Sequence, residues 1–380
     1  MANQKWKQYN FNEIFNFDGS YSFPRESLGN EGVLYLHYGD MHTSNKNYLD
    51  VDNDFENIPK CNIEGELKFC LNDGDLVFVD ASEDYPGTCK TFMIKNMSNK
   101  KIVAGLHTFI AREKQRVVCN DFKKYLTEIP SVKKQIYKYV QGYKVYGISR
   151  DNLKNVTVEL PEYNESEKIS NILDCWAKAI ELQEKKIEKL ELKKKALMQK
   201  LLRPNKDWES FSLGKACCIN TGKLDVNQMD KEGRYPFFTC SKDIYKINKY
   251  AYDCEALLIA GNGIVGDIKY YKGKFNAYQR TYVLSDFKYN IKYIMYYLKQ
   301  NFESSILKGM QKSSMPYIKV DLLKNAIIRY PENYLAIANI FDIIETKIHC
   351  ETEILELFNR QQKVLMKKLL TGEIRVNGND

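Results

Sequence analysis

The chain has 380 residues, of which 44% are hydrophobic and 28% charged, and its formal net charge is +8 at pH 7. This length is typical of two or more domains, and the hydrophobic fraction is enough for packed cores, which excludes a disordered chain. No apolar run reaches the ~18 residues of a membrane-spanning helix, and residues 1–10 lack the apolar region of a signal peptide. We therefore expect a cytoplasmic protein with no membrane partner.

The positive charge is compatible with a polyanionic partner but does not prove one. The ten cysteines are scattered and include no Cys-x-x-Cys pair, so we expect reduced thiols rather than a zinc or redox site. Tyrosine is unusually common, with 27 residues. That abundance fits adaptable contact surfaces, and it fits equally well the codon usage of an AT-rich genome.

Residues 1–160 alternate between β-rich and helical patterns. A polar stretch around Trp6 precedes short β-rich runs at 32–36, 75–79 and 109–111, and a helical run follows at 122–140. This succession predicts a mixed α/β domain.

Residues 161–204 are rich in charge and carry apolar residues at alternating steps of four and three, the heptad spacing of a coiled-coil seam. The pattern begins after Pro161, which is tolerated just before a helix. Two polar residues, Gln183 and Lys194, interrupt it. The predicted seam residues are Ile169, Leu173, Trp176, Ile180, Ile187, Leu190, Leu197 and Leu201.

Residues 205–332 resemble the first domain in their order of elements. Trp208 opens a polar stretch, β-rich runs follow at 256–260, 266–271 and 281–284, residues 272–274 are interpreted as a turn, and a helical run covers 291–307. We predict a second α/β domain with divergent loops.

Residues 333–380 repeat the first charged segment 168 positions later, and the polar breaks recur at the matching positions, Glu351 and Gln362. Residues 153–155 and 161–162 also recur, 170 positions later. Independent helices would rarely share their interruptions, so the unit of domain, strand and long helix is used twice. The second set of seam residues is Ile337, Phe341, Ile344, Ile348, Leu355, Phe358, Leu365 and Leu369.

A helix of this length cannot bury a narrow apolar stripe alone. The simplest partner is its copy in the same chain, running antiparallel; the alternative is dimerisation with another molecule. The sequence thus predicts an α+β fold in which two α/β domains are separated by two long antiparallel coiled-coil helices, with a pseudo-two-fold internal repeat. The polar breaks would fix the register of the pair at some cost in stability.

The sequence contains no strong catalytic, nucleotide-binding or metal-binding motif. Residues 261–266 match the G-x-G-x-x-G dinucleotide pattern, but the sequence after the third glycine predicts a strand, where nucleotide binding needs a helix. His37, Asp40 and His42 could be drawn as metal ligands, but their spacing is not that of a zinc site. No G-x-x-x-x-G-K-[ST] phosphate loop, nucleophile elbow or kinase signature occurs, and the absence of Pro-Pro excludes an Asn-Pro-Pro-Tyr methyltransferase motif.

The order of domain, charged helix, domain, charged helix resembles the DNA-specificity subunits of Type I restriction-modification systems along the whole chain. In the first domain the resemblance rests on residues 35–43 and 72–78. In the second it is stronger, at 235–238, 257–263, 277–282 and 309–312. Gln141 lies 170 residues before Gln311, although Tyr139 stands where the second domain has Gly309.

The resemblance implies two target-recognition domains, each reading one half of a split double-stranded DNA target, and helices that set the unread gap. It also implies two methyltransferase (modification) subunits docked on the helices, and motor-nuclease (restriction) subunits in the full complex. The chain itself would then be non-catalytic and hold no cofactor. S-adenosylmethionine, ATP and Mg would belong to the partner subunits.

DNA reading pairs Arg or Lys with guanine, Asn or Gln with adenine, and small polar or basic residues with phosphate. In the first domain the candidate DNA-contacting residues are His37, Tyr38, His42, Thr43, Ser44, Lys46, Lys90, Arg112 and Gln141. In the second they are Lys269, Lys272, Lys274, Gln279, Arg280, Gln311, Lys312 and Ser313.

Three other interpretations stay open at this point. The same subunit could serve a Type IIB or Type I-like system with a fused nuclease. A coiled-coil interaction scaffold with two globular heads and no DNA role would share the internal repeat. An enzyme using one head as a nucleotide site is disfavoured because the required helix is missing from the pattern.

Overall fold

A computed structural model describes the chain in two compact units. The first contains Met1–Leu182 and Glu356–Asp380, and the second contains Gln183–Leu355. The residues whose structure is described are 6–44, 46–85, 87–305 and 317–376.

The first unit contains the first head (residues 1–160), which is built from short strands and helices. Its strands are Lys7–Asn10 (β1), Phe15–Asp18 (β2), Val33–Leu36 (β3), Tyr48–Asp50 (β4), Lys60–Cys61 (β5), Leu76–Val79 (β6), Ala81–Ser82 (β7), Thr91–Lys95 (β8), Ile102–Ala104 (β9), Thr108–Glu113 (β10), Tyr146–Gly147 (β11) and Thr157–Leu160 (β12). Its helices are Phe11–Ile14 (α1), Tyr38–Thr43 (α2), Val51–Asp54 (α3), Asn120–Lys123 (α4), Pro130–Tyr139 (α5) and Arg150–Lys154 (α6), with 3₁₀ turns at Arg25–Ser27, Phe55–Asn57 and Leu126–Glu128.

The second unit contains the second head (residues 205–332). Its strands are Glu209–Ser212 (β13), Cys218–Thr221 (β14), Tyr235–Phe238 (β15), Ile244–Ile247 (β16), Tyr252–Ala260 (β17), Ile268–Ala277 (β18), Thr281–Ser285 (β19) and Ile327–Tyr330 (β20). Its short helices are Leu213–Ala216 (α8), Ile291–Ser305 (α9) and Val320–Lys324 (α10), with a 3₁₀ turn at Val226–Gln228. The two long helices, Tyr163–Leu201 (α7) and Tyr334–Leu370 (α11), each contribute residues to both units.

The heads share one scaffold, as the strand pairing demonstrates. The first head has a five-stranded sheet of order β2-β10-β6-β8-β4, and the second has a six-stranded sheet of order β14-β19-β17-β18-β15-β16. In both, the central strand (β6 or β17) pairs antiparallel with the strand that follows a tight turn (β10 or β19). In both, an earlier strand runs parallel to the strand before that turn, as β3 with β9 and β15 with β18. The sequence predicts two α/β domains with divergent loops, and the strand pairing shows the scaffold that they share.

Each head is joined to its long helix by the same supporting pair of strands. β1 pairs antiparallel with β12 in the first head, and β13 with β20 in the second. A backbone hydrogen bond continues each pair, from Phe11 N to Val156 O and from Leu213 N to Ala326 O, both at 2.8 Å. The acceptors lie 170 positions apart, so the structure extends the repeat seen in the sequence.

Within each unit, the long helices pack against each other antiparallel. In the first unit Ile169 and Leu173 near the start of α7 share a buried core with Leu369 at the end of α11, and the rings of Trp176 and Phe358 meet edge to face at 5.7 Å. In the second unit the end of α7 meets the start of α11, where Ile337 and Phe341 are buried. All sixteen predicted seam residues are buried or half-buried. The helices therefore pair within the chain, as the repeat predicts.

The first polar break of the repeat faces its own copy. The Gln183 amide donates to the Glu351 carboxylate at 2.7 Å and to the Glu351 carbonyl at 2.8 Å, and Lys186 pairs with the same carboxylate at 2.7 Å. Lys186 and Gln183 together hold the pKa of Glu351 below its ordinary value. A shift of the helices by one turn would bury these groups against apolar neighbours, so the contact favours one register.

In the first unit the tail after α11 is fastened to the start of α7. The Glu165 carboxylate accepts from Arg375 Nε at 2.7 Å, from Arg375 Nη2 at 2.8 Å and from the Trp6 indole at 3.1 Å. A bidentate pair with an indole donor satisfies this buried carboxylate. The contact ties Trp6, the first described residue, to the segment after α11 and closes the end of the helix pair in this unit.

Two predicted elements are wrong in detail. The helix predicted at 122–140 is broken into α4, a 3₁₀ turn and α5, because Pro130 lacks the amide hydrogen a continuous helix needs and begins a new one. The turn predicted at 272–274 lies inside the continuous strand β18, where Gly273 has a φ of +129°. The helix predicted at 291–307 is confirmed as far as Ser305, and its last residues lie outside the described part of the chain.

Replacing Gln183 with Leu tests the polar contact. The variant leaves the Glu351 carboxylate in the seam without its amide partner, so we expect a lower midpoint in urea denaturation followed by circular dichroism. Replacing both residues with Leu should restore or raise the midpoint. Gln199→Leu, an exposed glutamine on the same helix, is the matched control. A Gln183→Leu variant as stable as the control would contradict a role for this contact.

Candidate nucleic-acid interface

In the first head, four loops meet where the central strand β6 ends. Asp80 N donates to His107 O at 3.0 Å, and Ile148 N donates to Asp80 O at 2.9 Å. β7, just beyond, pairs with β11, and its Ala81 carbonyl lies 3.3 Å from His42 Nε2. We call this surface the first loop end, defined by residues 37–44, 80–85, 105–107 and 141–147.

Histidines gather at the first loop end. The ring of Tyr38 has His37 at 4.5 Å, His107 at 5.2 Å and His42 at 5.9 Å between centroids. His107 Nδ1 lies 3.1 Å from an oxygen of Asp80. Among the described residues no group of three His, Cys, Asp or Glu side chains is arranged to hold a metal ion. The cluster is therefore an aromatic and hydrogen-bonding surface.

His37 has a structural task in this cluster. Its Nδ1 accepts from Gly39 N at 3.1 Å and so caps the first turn of α2. Burial lowers the pKa of His37; Asp40 opposes that shift, while Arg25 and His107 add to it. The imidazole is therefore neutral at pH 7, which its role as an acceptor requires.

Several predicted contacts of the first head are held by internal partners. Lys90 donates to the carbonyls of Ser44 at 2.5 Å and His42 at 3.1 Å, and burial lowers its pKa against the influence of Asp84. Arg112 Nη2 contacts Asp75 at 2.9 Å and the Cys70 carbonyl at 2.8 Å. Lys90 thus shapes the loop that follows α2, and Arg112 lies on β10 as a partner of a buried carboxylate. Their predicted role as phosphate contacts stays a prediction.

Thr43, Ser44 and Lys46 line a common cavity of about 250 Å³ beside α2. Thr43 is exposed and its hydroxyl donates to Gly39 O at 3.1 Å, while Lys46 is exposed and pairs with Asp54 at 3.2 Å. Surface ion pairs of this kind are weak and exchange easily for a polyanion. Of the predicted first-head residues, Thr43, Lys46 and Gln141 are exposed, and Ser44 is half-buried.

Tyr143 lies in a tight loop of the first head and is not among the contacts predicted from the sequence. Gln141 and Gly147 close a tight loop through two backbone hydrogen bonds of 2.9 and 2.7 Å. Gly142 has a φ of +125°, and a Cβ there would meet the Val145 carbonyl at 1.8 Å, so only glycine fits. The loop presents a tyrosine ring that is 91% exposed at Tyr143, beside the exposed Lys144.

The second head has a corresponding loop end, defined by residues 222–225, 239–242, 261–266 and 278–280. Its loops are joined by backbone hydrogen bonds: Gly261 N to Arg280 O and Gln279 N to Leu224 O, both at 2.9 Å, and Ile264 N to Cys240 O at 3.1 Å. No helix follows the glycines of 261–266, since β18 begins at Ile268, so the dinucleotide-binding fingerprint is excluded.

Gln279 and Arg280 occupy the turn before β19, and both are exposed. The Gln279 amide lies 3.3 Å from an oxygen of Asp225. Within the described part of the chain, the Arg280 guanidinium has no hydrogen bond or ion pair. Lys223 and Lys242, on neighbouring loops, are exposed as well. Arg280 thus lies at the second loop end without a side-chain partner among the described residues.

The predicted lysines of β18 differ in their availability. Lys269 is half-buried, pairs with Asp267 and donates to the Ser241 carbonyl at 2.8 Å. Lys272 and Lys274 are exposed, and the Lys274 ammonium lies 4.8 Å from the centre of the Tyr250 ring. Gln311, Lys312 and Ser313 lie outside the described residues.

The turn before β10 in the first head is equivalent to the turn before β19 in the second. Gly105 N donates to Leu36 O at 3.0 Å, just as Tyr278 N donates to Phe238 O at 2.9 Å, and each turn ends in a buried threonine. His107 therefore occupies the place of Arg280. The sequence feature that could have revealed the equivalence of the two turns is the threonine at the start of each strand, three residues after the turn begins.

A sequence model for the Type I restriction modification DNA specificity domain matches residues 3–192 and 205–359. The chain belongs to this family. The two matches cover most of the sequence and coincide with the two copies of the repeat.

Named relatives of this chain are specificity subunits. The Type I restriction enzyme EcoDI specificity subunit of Escherichia coli is 35% identical over 175 residues, which is 44% of this chain and 39% of that protein. The match thus spans less than half of that relative's length. The Type I restriction enzyme MjaVIII specificity subunit of Methanocaldococcus jannaschii is 23% identical over 335 residues, covering 76% of this chain and 75% of its own.

Solved structures share the fold. A Type I restriction-modification S subunit from M. genitalium superposes with a TM-score of 0.62 at 15% identity, covering 97% of both chains. A structure from a study of complex assembly and conformational transition of the type I R-M system superposes with a TM-score of 0.61 at 14% identity, covering 98% of this chain and 100% of that one. The α+β fold with two heads and two long helices is therefore confirmed. Among the described helices, none combines the length and apolar character needed to cross a bilayer.

The pKa of His37 predicts a pH dependence of stability. The free imidazole titrates near 6.5 and the folded one lower, so the unfolded state takes up the proton first as the pH falls. The stability from the neutral cap is complete above about pH 6.5 and is lost as the pH falls through that value toward the folded pKa. His37→Asn keeps a capping acceptor that does not titrate, so its melting temperature should fall less between about pH 7.5 and pH 5.5. His349→Asn, at an exposed histidine, is the control; equal slopes for wild type and His37→Asn would refute the prediction.

Proposed function

We propose that this chain is the DNA-binding specificity subunit of a Type I restriction-modification complex, that it reads a bipartite target, and that it directs adenine methylation and restriction by partner subunits. One observation carries the proposal: the same scaffold is built twice, and its two loop ends carry different chemistry. The turn that holds His107 beside Asp80 and Tyr38 in one head holds Gln279 and Arg280 in the other. A protein that reads two different half-sites needs different side chains at equivalent positions of one scaffold.

The chemistry of each loop end fits DNA. In the second head, a guanidinium suits the acceptor edge of guanine and a neighbouring amide suits adenine, while exposed lysines suit phosphates. In the first head, imidazoles, threonine and serine hydroxyls and the exposed Tyr143 ring offer hydrogen bonds and stacking. We therefore add Tyr143, His107, Lys223 and Lys242 to the predicted contacts.

The long helices suit the task of a spacer. α7 has 39 residues and α11 has 37, and at 1.5 Å per residue each spans roughly 55–60 Å. A pair of helices held in register by Gln183 and Glu351 resists bending and sliding better than a flexible linker. Gap length in a split DNA target is a distance along the duplex, so a rigid spacer would convert helix length into a fixed number of base pairs.

The helices also present a surface for the methyltransferase subunits. On α11 a second stripe of large apolar residues lies beside the seam and is exposed to solvent. Its members occupy heptad positions, with Lys347, Cys350 and Gln361 at the positions between them, and this pattern is the signature of a surface that receives another helix. The matching positions on α7 include Lys186 and Lys189, so the stripe is stronger on α11. Its members are Ile340, Ile343, Ile354, Leu357 and Val364.

In this proposal the chain is non-catalytic. Two methyltransferase subunits would bring S-adenosylmethionine, and the motor-nuclease subunits would bring ATP and Mg²⁺, with the whole complex acting in the cytoplasm. The naming of its relatives as specificity subunits supports this division of labour.

Arg280→Ala tests the second loop end. We expect fluorescence anisotropy with a duplex carrying the target to give about tenfold weaker binding and a relaxed preference at one base pair of one half-site. Arg234→Ala is the matched control, because that exposed arginine precedes β15 at the opposite end of the strand. Tyr143→Ala should weaken the other half-site, and Tyr143→Phe should not. Unchanged affinity and base preference in Arg280→Ala would remove Arg280 from the interface, and no salt-dependent DNA binding by the wild type would favour a coiled-coil scaffold.

Ile343→Glu tests the docking stripe. This side chain is 67% exposed, so the substitution should leave the fold intact while burying a charge against any docked helix. We expect the variant to lose co-purification with the methyltransferase subunit and to keep its affinity for DNA. His349→Glu, at an exposed position about 120° around the same helix from Ile343, is the control. Normal co-purification of Ile343→Glu would show that the methyltransferase docks elsewhere.

A further inference from the structure

An acidic residue of α7 links the first head to its long helix. The Asp174 carboxylate accepts from Lys124 Nζ at 2.7 Å and from the Tyr125 hydroxyl at 2.5 Å. The side chain of Lys124 is 1% exposed, and its ammonium also lies 3.4 Å from Asp121. Burial and the hydrogen bond to Asp174 raise the pKa of Tyr125, so the phenol keeps the proton that it donates.

The same lysine reaches the segment that follows α2. Its ammonium lies 5.4 Å from the centre of the Tyr48 ring, and its carbonyl accepts from the Asn47 amide at 3.2 Å. Tyr48 begins β4, directly after the segment that carries Lys46. Asp174 is thus connected, through one lysine, to the segment whose side chains line the cavity of the first loop end.

The second unit contains the same arrangement. The Asp342 carboxylate of α11 accepts from the Tyr296 hydroxyl at 2.9 Å and lies 3.4 Å from Lys292 Nζ. The Lys292 ammonium lies 3.7 Å from the centre of the Tyr270 ring. Tyr270 lies on β18, beside Lys269 and two positions before Lys272.

The two arrangements share their chemistry but not all of their scaffold. Asp174 and Asp342 lie 168 positions apart, and so do Lys124 and Lys292. The tyrosine under each ammonium comes from a different place, however: β4, which pairs with β8 in the first head, and β18, which pairs with β17 in the second. The heads have diverged around this contact, yet both keep an aspartate on the long helix, a lysine and a phenol donor on the head, and an aromatic ring next to candidate DNA contacts.

Apolar packing alone cannot fix the orientation of a head on its long helix, whereas this hydrogen-bonded contact can. Burial of Ile169 and Leu173 in the first unit, or of Ile337 and Phe341 in the second, resists separation of head and helix but is not directional. Hydrogen bonds to a carboxylate have preferred distances and angles, so they oppose rotation and sliding of one element on another.

We propose that Asp174 and Asp342 are positioning residues that fix the orientation of each reading head on its own long helix, and that this orientation sets where each half-site must lie along the DNA. The inference rests on the proposed function. Neither aspartate contacts DNA in this proposal; each acts through a lysine and through the strand or loop that follows.

Asp342→Ala provides the main test, because its side chain is 38% exposed and the variant is expected to fold. The purified complex with the methyltransferase subunits would methylate duplexes whose half-sites are separated by the native gap, by one base pair fewer and by one more. We expect the wild type to prefer the native gap and Asp342→Ala to lose about tenfold of that preference, which is the order of a charge-assisted hydrogen bond. Glu353→Ala is the control, since this carboxylate on the same helix is 62% exposed and pairs with His349.

The ratio of rates at different gaps separates positioning from stability, because loss of folded protein lowers all three rates equally. In the first head, Asp174→Ala would remove the nearest carboxylate from the buried ammonium of Lys124 and could unfold the protein. The second variant is therefore Tyr125→Phe, which removes only the phenol donor. A native-gap preference retained in both Asp342→Ala and Tyr125→Phe would overturn the inference while leaving the proposed function intact. A wild-type complex that methylates all gaps equally, or none, would overturn the proposed function itself.

Discussion

The structure depends on the need of two long helices to bury a stripe that neither can bury alone. Each stripe is narrow, because the rest of the helix is charged, and a helix of this kind is stable only against a partner. The partner is the repeated copy in the same chain, met antiparallel in each unit. The contact between Gln183 and Glu351, where a polar break faces its own copy, selects the register. The supporting strand pairs β1–β12 and β13–β20 then hold each head on a helix whose position is already determined.

The parts of this fold that follow from local pattern were predictable. The heptad spacing gave the seam, because burial of one helix face demands apolar residues at that period. The runs at 75–79 and 256–260 became strands β6 and β17, since a short continuous apolar run suits a strand that is buried on both faces. The break at Pro130 follows from its missing amide hydrogen, although the apolar periodicity continues across it and predicts one helix.

What sequence could not predict are the contacts between residues far apart in the chain. Arg112 looks like any basic residue next to a strand, and only the fold shows that Asp75, from a neighbouring strand, takes its guanidinium. Tyr143 is inconspicuous among 27 tyrosines, and its exposure follows from a loop that closes on Gly147. The link from Asp174 through Lys124 to Tyr48 joins three elements that the chain order separates.

In the proposed function, a common scaffold with unlike loop ends would let one chain read two different sequences. The strands that form the shared frame are largely buried and constrained by packing, whereas the loops beyond β6 and β17 carry exposed side chains such as Tyr143 and Arg280. Substitution of these exposed side chains would change recognition at little cost to the core. His107 and Arg280 lie on equivalent turns: His107 is held by a carboxylate and an aromatic ring, and Arg280 has no side-chain partner among the described residues.

Methylome sequencing of cells that carry this chain with a modification methyltransferase subunit tests the bipartite reading most directly. The proposed function predicts modified adenines in a motif of two short, different blocks separated by one fixed number of unread base pairs. A continuous motif, or blocks separated by a variable gap, would contradict it.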